Sequence, residues 1–315
     1  MMRRDVVVIG GSLAGAACAR ELVRLGLDAI ALERDRFPRR KVCGGFLSPG
    51  AVESLKTLNV LDDVRRAGAV PVTSARVRAG SADVTITFER SGLGISRDTL
   101  DQILVLRAPV VQGHAVRTVH RSGSGFVVDD IVCGVVIDAA GKLSRFSKRQ
   151  SADEFGVQYF EAGARGQVLD FWFLDDAYGG GVSVEGDLSN FSFLVRKAAL
   201  GMYLDRPGCI VTGPLAYDRL PGDYIAIGDA AGMVDPFCGE GMRHALETGI
   251  LAARVVANGI WRNANYEEMK SEYESRRERR WALRRNLGST LRRCRNWFGP
   301  ALRVAPDWLL NRIWD

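Results

Sequence analysis

The feature that most constrains the fold is an ordered unit between residues 5 and 33. An apolar run over residues 6–9 leads into the glycine-rich sequence GGSLAG at residues 10–15, and an alanine-rich amphipathic stretch follows to Leu25. A second short apolar run over residues 29–32 ends at Glu33. Strand, tight turn, helix, strand and terminal acid in this order predict a βαβ unit that binds a dinucleotide.

Each part of this unit has a physical role in holding a pyrophosphate. Gly10 makes the tight turn after the first strand, and Gly15 lets the helix pack closely on that strand. The unpaired N–H groups at the start of the helix attract the negative pyrophosphate. Glu33 stands 23 residues after Gly10 and is expected to accept hydrogen bonds from the ribose hydroxyls. Ser12 takes the place of the middle glycine, a departure that adds only a small side chain.

A second strand end distinguishes between the dinucleotides. Residues 224–227 are apolar and run into GDAAG at 228–232, and a helical stretch extends from the glycines near Gly239 to about Asn258. FAD is long enough to need such a second return of the chain, where the Asp229 carboxylate would hold the ribityl hydroxyls. The helix that opens near Gly239 would direct its positive end at the flavin ring and stabilise the anion formed on reduction. These features favour FAD over NAD.

Six motifs in order resemble the FAD-dependent geranylgeranyl reductase and para-hydroxybenzoate hydroxylase superfamily over residues 1–260. Besides the two glycine-rich strand ends, residues 39–49 (RRKVCGGFLSP) resemble the segment that passes beside the flavin in geranylgeranyl reductases. Residues 97–108 resemble the family's helix signature, whose arginine reaches the cofactor and corresponds to Arg97. Residues 115–117 are similar to the strand whose backbone meets the adenine, and residues 137–141 to the strand that closes the dinucleotide fold.

The predicted fold is α/β: a glutathione-reductase-type FAD-binding Rossmann domain interleaved with a small antiparallel-sheet substrate domain, plus C-terminal helices. The FAD-binding domain is expected over 1–70, 95–150 and 219–260, the substrate-facing sheet over 71–94 and 151–218, and the helices over 261–315. The residues expected to contact the cofactor are Gly10, Ser12, Leu13, Ala14, Gly15, Glu33, Arg34, Cys43, Gly44, Arg97, Val116, Asp229, Gly239, Gly241 and Met242.

The substrate layer is predicted from two aromatic-rich strands, residues 168–174 and 190–195, joined by a glycine-rich bend at 178–181. Antiparallel strands that roof the flavin would form an apolar pocket edged by a few polar groups. The candidates for lining it are Cys43, Phe171, Trp172 and Tyr178. The alternative interpretation is that the aromatic residues are plain core and Cys43 a small buried thiol.

Composition excludes several other classes of protein. The net charge of +6 comes from residues 276–295, where nine arginines face one acid, so the rest of the chain is nearly neutral and no nucleic-acid partner is expected. Six scattered cysteines without a CxxC pair are typical of reduced thiols in the cytoplasm. Three dispersed histidines indicate no metal site. No uncharged apolar run reaches the roughly 18 residues needed to span a membrane.

The C-terminal segment, residues 262–315, lies outside the family resemblance and is predicted as helices over 266–287, 291–297 and 306–314. Arginines stand beside tryptophans in all of them. That mixture is typical of a segment that lies at a membrane surface, so peripheral membrane contact is one hypothesis. The other is an amphipathic helix packed on the protein's own body with its arginines in water.

These features together predict an FAD-dependent oxidoreductase acting on a hydrophobic small molecule. The leading hypothesis is reduction of carbon–carbon double bonds in an isoprenoid or polyketide-like substrate, with NADPH, NADH or ferredoxin as a transient electron donor. The alternatives are a flavin monooxygenase that hydroxylates an aromatic or polyketide compound and a non-catalytic flavin-binding partner protein. A flavin halogenase is disfavoured because residues 171–173 (FWF) lack the Ile-Pro that should follow.

Overall fold

A computed structural model describes residues 2–146, 153–215, 222–234 and 239–293. The strands are β1 (Met2–Ile9), β2 (Ala29–Glu33), β3 (Phe46–Leu47), β4 (Val70–Ala79), β5 (Ala82–Gly94), β6 (Val110–Gln112), β7 (Val119–Ser122), β8 (Gly125–Val128), β9 (Ile131–Asp138), β10 (Glu154–Ala162), β11 (Val168–Phe173), β12 (Ala177–Val184), β13 (Leu188–Arg196), β14 (Ile210–Thr212) and β15 (Ile225–Ala226). The α-helices are α1 (Leu13–Arg24), α2 (Pro49–Thr57), α3 (Leu61–Arg66), α4 (Arg97–Leu106), α5 (Gly201–Leu204), α6 (Gly241–Trp261) and α7 (Tyr266–Arg293).

The first sheet carries the predicted βαβ unit. Its strands follow the order β6-β2-β1-β9-β8-β7, with β15 beside β9, and the pairs among β6, β2, β1, β9 and β15 are parallel. Val6, Val7 and Val8 are completely buried, as a parallel strand with helices on both faces requires. The Rossmann-type fold predicted for this part of the chain is confirmed.

The glycine turn after β1 is shaped by close backbone contacts. Gly10 has a φ of +103°, a conformation that side chains rarely adopt. A Cβ atom on Gly15 would stand 1.8 Å from the carbonyl oxygen of Gly10. Both positions therefore require glycine for the helix α1 to start directly above the end of β1.

The second sheet contains eight strands in the order β14-β10-β13-β12-β11-β4-β5-β3. Neighbouring strands are antiparallel except for β11 and β4, which pair in parallel from Val168↔Ser74 to Phe173↔Ala79. The sheet is thus mixed rather than purely antiparallel. It also takes in the short strand β3, whose residues the sequence interpretation placed with the nucleotide-binding segment.

The prediction of a bend at residues 178–181 was wrong, because these residues lie in the strand β12. The strand pairs with β11 on one side and with β13 on the other. A Cβ on Gly179 would stand 2.6 Å from the ring of Phe193, and one on Gly181 would stand 2.8 Å from the ring of Phe191. The glycines are there because aromatic rings from β13 lie across the strand, not because the chain turns.

Two further predictions differ from the structure. Residues 115–117 form no strand: they lie between β6 and β7, where the backbone N–H groups of Arg117 and Thr118 donate to Asp129 Oδ1 at 3.0 and 2.8 Å. The C-terminal helix does not break near residue 287, because α7 continues to Arg293. The helices predicted over 291–297 and 306–314 fall mainly or wholly outside the described residues.

The helix α7 is anchored to the first sheet by its aromatic side chains. The Tyr266 hydroxyl donates to Val136 O at 2.9 Å and accepts from Ile225 N at 2.8 Å, and the Tyr273 hydroxyl donates to Ala226 O at 2.8 Å. Trp281 is only 2% exposed. This part of the segment therefore packs on the protein's own body. Among the described residues, no helix is long and apolar enough to cross a membrane.

Candidate functional site

A cavity of about 260 Å³ lies between the two sheets. The start of α1, the loop before β3 and the start of α6 form one side, and β10 to β13 form the other. The first side contributes Ser12, Leu13, Ala14, Lys41, Val42, Cys43, Gly44, Gly45, Arg97, Asp229, Gly239, Gly241 and Met242, among others. The second side contributes mainly apolar groups, including Leu169, Phe171, Tyr178 and Leu194.

The acid at the end of β2 lies directly beside the glycine turn. Glu33 is 5% exposed, and its Oε2 accepts a hydrogen bond from the backbone N–H of Gly11 at 2.8 Å. Its Oε1 accepts from the N–H of Asp35 at 3.0 Å. The carboxylate is therefore held at the carboxyl end of the parallel strands, where a ribose would be bound.

A buried cluster at the cavity explains the serine in the glycine motif. Arg97 Nε and Nη2 donate to the two oxygens of Asp101 at 3.1 and 2.8 Å. Ser12 Oγ accepts from Arg97 Nη2 at 2.9 Å and donates to Asp101 Oδ2 at 3.0 Å. Ser12 therefore fixes the guanidinium beside the start of α1, a role that the motif comparison did not predict.

Arg97 keeps its positive charge in this cluster. Burial by itself lowers the pKa of Arg97, but the Asp101 carboxylate and the nearby Cys43 outweigh burial and raise that pKa above its ordinary value. A permanent cation thus lies beside the helix N-terminus that the motif predicts for the pyrophosphate. This placement agrees with a role for Arg97 in holding an anionic cofactor.

Lys41 is a cavity residue that sequence reasoning did not single out, although it lies inside the segment 39–49. Burial lowers the pKa of Lys41, the positive charge of Arg97 lowers it further, and Asp229 and Asp101 oppose the shift. Lys142 also lines the cavity and donates to Thr212 Oγ1. The one sequence signal that could have placed Lys41 at the cavity was its position two residues before Cys43.

The loop that carries Cys43 is held in place by two buried amides of the second sheet. Asn190 is completely buried, and its Nδ2 donates to the carbonyl oxygen of Cys43 at 3.0 Å. Gln158 Nε2 donates to Asn190 Oδ1 at 2.7 Å. Neither amide was predicted, because their partner lies more than 100 residues away in sequence.

Three of the four residues predicted to line the pocket do so, and the fourth faces away from it. Cys43, Phe171 and Tyr178 line the cavity. Trp172 does not line it: its ring lies on the opposite face, 6.1 Å from the ring of Phe193 and 6.2 Å from that of Phe191. Successive side chains of a strand point to opposite faces, so Phe171 and Trp172 cannot both face the same ligand.

The second glycine-rich strand end meets the cavity from the other direction. Asp229 lies in a 3₁₀ turn, Gly228–Ala231, directly after β15, and lines the cavity. The N–H of Gly228 donates to Thr248 Oγ1 at 2.9 Å, which ties this turn to α6. Gly241 and Met242, the first residues of α6, also line the cavity. The positive end of the helix dipole therefore faces it.

Ten of the fifteen residues predicted to contact the cofactor line the cavity. Gly10 and Gly15 shape the turn beneath it, and Glu33 lies behind that turn. The side chain of Arg34 is 62% exposed and faces Asp35, so the structure does not bring it to the cavity. Val116 lies outside the cavity too, and its carbonyl accepts a hydrogen bond from Arg145 Nη2 at 2.9 Å.

Two cavity glycines test whether a flat cofactor fits. Gly44 and Gly241 have no positive φ, and among the described residues a Cβ at either position would meet no atom within 4 Å beyond its own stretch of backbone. The fold therefore does not require glycine at either position. Both line the cavity, one on the loop before β3 and the other at the start of α6. Bare backbone on both sides of an open space suits the close approach of a ring system such as the isoalloxazine of FAD.

Comparison with known proteins agrees with this fit. The model of the FAD binding domain family matches residues 3–125. Digeranylgeranylglycerophospholipid reductase 2 of Methanothermobacter thermautotrophicus is 30% identical, over 93% of this chain and 86% of its own length. The chain belongs to the geranylgeranyl reductase and para-hydroxybenzoate hydroxylase superfamily. It is an FAD-dependent oxidoreductase.

Other known proteins resemble the flavoprotein in sequence or in fold. The menaquinone reductase of Mycolicibacterium smegmatis is 27% identical over 82% of this chain and 77% of its own. A geranylgeranyl bacteriochlorophyll reductase-like protein from Thermoplasma acidophilum superposes with a TM-score of 0.76 at 20% identity, covering 100% of this chain and 91% of its own. A flavin-dependent brominase superposes with a TM-score of 0.80 at 19% identity, covering 99% and 92%. The two structures support the fold.

Proposed function

We propose that this flavoprotein reduces carbon–carbon double bonds in a hydrophobic isoprenoid or polyketide-like substrate. The observation that carries the proposal is the contrast between the two sides of the cavity. The side expected to hold FAD presents glycine backbone and charged groups. The side formed by the second sheet presents Leu169, Phe171, Tyr178 and Leu194, a wall suited to an apolar chain.

Saturation of a double bond needs a hydride on one carbon and a proton on the other. Bound FAD, once reduced, supplies the hydride. The chain itself places protic groups at the cavity: the thiol of Cys43 and the Nζ of Lys41. Because burial and Arg97 lower the pKa of Lys41, its ammonium gives up a proton more readily than an exposed lysine does.

The geometry keeps the Cys43 loop rigid beside the apolar wall. Asn190 ties the Cys43 carbonyl to the second sheet, and Gly45 turns with a φ of +73° where a Cβ would stand 2.6 Å from Asn190 Nδ2. The loop and the wall thus form one unit. A substrate chain that packs on Phe171 is therefore held at a fixed distance from the loop. This favours transfer of the proton to one particular carbon of the double bond.

The named relatives point to the same substrate class. The relative with 30% identity is named for reduction of a digeranylgeranyl glycerophospholipid, and the one with 27% identity for reduction of menaquinone. Both compounds are lipids with isoprenoid chains. As electron donor we propose NADPH, NADH or a reduced ferredoxin that docks transiently.

The test is a paired measurement on the purified FAD-loaded protein. The flavin is first reduced without oxygen by NADPH, NADH or dithionite-reduced ferredoxin, and then offered a digeranylgeranyl glycerophospholipid or menaquinone. The proposal predicts reoxidation of the flavin by the lipid and a product heavier by two hydrogens per double bond, by mass spectrometry. A substrate-free sample, kept anaerobic, should stay reduced.

Other outcomes identify the alternatives. Oxygen uptake coupled to a product that gains one oxygen atom would establish a monooxygenase and overturn the reductase proposal. A flavin that accepts electrons from none of the three donors, with either lipid present, would indicate a non-catalytic flavin-binding protein.

A further inference from the structure

A chain of four charged side chains connects the C-terminal helix with the start of α6. Arg280 Nε, on α7, donates to Glu247 Oε2 at 2.7 Å. Arg243 Nε donates to the other oxygen of Glu247 at 2.8 Å, and Arg243 Nη1 donates to Glu240 Oε2 at 3.2 Å. Glu240 directly precedes the first residue of α6. The charges alternate along this chain, which we call the α6–α7 ion chain.

The inner three members of the ion chain are shielded from water. Glu240 is 1% exposed, Arg243 5% and Glu247 8%. Helix α2 leaves room for Arg243 because residue 50 is a glycine. A Cβ on Gly50 would stand 2.1 Å from the guanidinium carbon of Arg243. Charges buried to this extent interact strongly, because little water screens them.

Arg280 holds the outer end of the chain in its ionised form. Burial by itself raises the pKa of Glu247, but the hydrogen bond from Arg280 and the charge of Arg243 outweigh burial and keep that pKa below its ordinary value. The side chain of Arg280 is 55% exposed, so it lies where water meets the buried ions. The four formal charges then sum to zero.

The inner end of the chain lies next to the cavity. Gly239 and Gly241 flank Glu240 on either side, and both line the cavity at the positive end of α6. The negative charge of Glu240 opposes the helix dipole at the place expected to face the flavin ring. Arg243 partly cancels that charge, and how fully it does so depends on how much of Arg243 is engaged by Glu247.

We propose that Arg280, on the C-terminal helix, tunes the reduction potential of the bound flavin through the ion chain Glu247–Arg243–Glu240. It is a positioning residue, since it does not line the cavity. Loss of its charge leaves the chain with a net charge of −1 and draws Arg243 toward Glu247 and away from Glu240. The potential near the flavin becomes more negative, which destabilises the anionic reduced form and lowers the midpoint potential.

The test uses the FAD-loaded full chain and measures the midpoint potential by dye-coupled anaerobic titration. Arg280→Gln is expected to shift the potential to more negative values, and Arg280→Lys to restore most of it. Glu240→Gln removes the negative charge at the helix start and is expected to shift the potential in the opposite direction. Arg279→Gln is the matched control, because Arg279 is exposed and, among the described residues, its hydrogen bonds go only to Ser275 in its own helix.

Salt separates an electrostatic effect from a structural one. Because Arg280 lies at the surface, the shift of Arg280→Gln should shrink as ionic strength rises to 1 M, where the Debye length falls to about 3 Å. An Arg280→Gln potential equal to that of the unsubstituted protein at low salt would overturn the proposal. So would shifts of the same sign in Arg280→Gln and Glu240→Gln. If Glu240→Gln does not fold, the Arg280 pair and its salt dependence decide alone.

Discussion

Glycines cluster at two places in this flavoprotein, and the chain uses them in opposite ways. At residues 10–15 they let a strand turn into a helix, and the atom nearest a Cβ on Gly15 is a backbone oxygen five residues earlier. At residues 179–181 the glycines lie inside the straight strand β12, and the atoms nearest their missing side chains belong to neighbouring strands, including rings of Phe191 and Phe193. In the first cluster the turn itself requires glycine, through the positive φ of Gly10 and the contact of Gly15 with Gly10 O, whereas the second cluster is required only by distant parts of the chain.

A third pair of glycines makes the comparison sharper. A Cβ on Gly44 or Gly241 would meet no other part of the chain that the structure describes, so neither its local geometry nor its packing explains the glycine. The comparison teaches that a glycine has to be interpreted by what lies over it: its own backbone, another strand's side chain, or a ligand. Substitutions at the three kinds of site should therefore damage three different properties.

The largest effect is expected at the turn. Gly15→Ala places a methyl group 1.8 Å from Gly10 O, and the backbone at both ends of the contact is fixed by the sheet and helix α1. We expect little soluble protein and no bound flavin. Expression yield and the flavin absorbance of the purified fraction measure this. A folded, yellow Gly15→Ala protein would show that the turn has more freedom than its contacts indicate.

Gly179→Ala should lower stability without removing the cofactor. The added Cβ would meet Ser192 O at 2.2 Å and the Phe193 ring at 2.6 Å, so β12 and β13 must separate locally. We expect a loss of about 3 kcal/mol in the free energy of unfolding, measured by urea denaturation, with an unchanged FAD content. Gly163→Ala offers a surface control with no such contact, although its φ of +91° adds strain of its own. Loss of FAD in Gly179→Ala would remove the distinction between the two regions.

Adjacent residues of β11 should behave differently because they face opposite sides of the sheet. Trp172→Ala removes a half-buried ring from the outer aromatic cluster, and a loss of about 2 kcal/mol in stability is expected, with the KM for substrate unchanged. Phe171→Ala should raise the KM for the proposed isoprenoid lipid. Each variant is the other's control in steady-state kinetics. An increase in KM for Trp172→Ala would contradict the assignment of faces.

The smallest effect on the fold is expected at the cavity glycines. Gly241→Ala should leave the apoprotein as stable as before, or more stable by up to roughly 0.5 kcal/mol, since alanine suits a helix better than glycine. It should weaken FAD binding by about tenfold or more, because the methyl group enters the space that the isoalloxazine ring is expected to occupy. Flavin fluorescence titration measures the affinity. An FAD affinity unchanged in both Gly241→Ala and Gly44→Ala would show that the ring lies elsewhere.

The first sheet was largely predictable from sequence because its signals are local. Strand β1, the turn at Gly10, helix α1 and Glu33 lie within 33 residues, and each is required by the geometry of the next. The same holds for the short strand β15 and its Asp229 turn. Motifs of this kind can be recognised in a sequence because a chain has few other ways to start a helix directly above the end of a strand.

The second sheet was predicted less well because its signals come from other strands. Residues 178–181 look like a bend until the rings of β13 are placed over them. Trp172 could be assigned to the cavity until the register of β11 fixed which face it takes. The contacts of Asn190 with Cys43, and of Arg280 with Glu247, join residues 147 and 33 positions apart. No pattern within one element encodes such pairs.

The tyrosines of α7 also set the order in which the protein can be completed during synthesis. Strand β15 has two residues, and the N–H of Ile225 is satisfied by the hydroxyl of Tyr266, while Ala226 O is satisfied by Tyr273. Asp229 follows three residues after the end of this strand. A nascent chain that has emerged only to residue 260 therefore holds both glycine-rich motifs but lacks the hydroxyl groups that finish the second one. The hydrogen bonds of β15 are therefore complete only after the start of α7 has left the ribosomal exit tunnel.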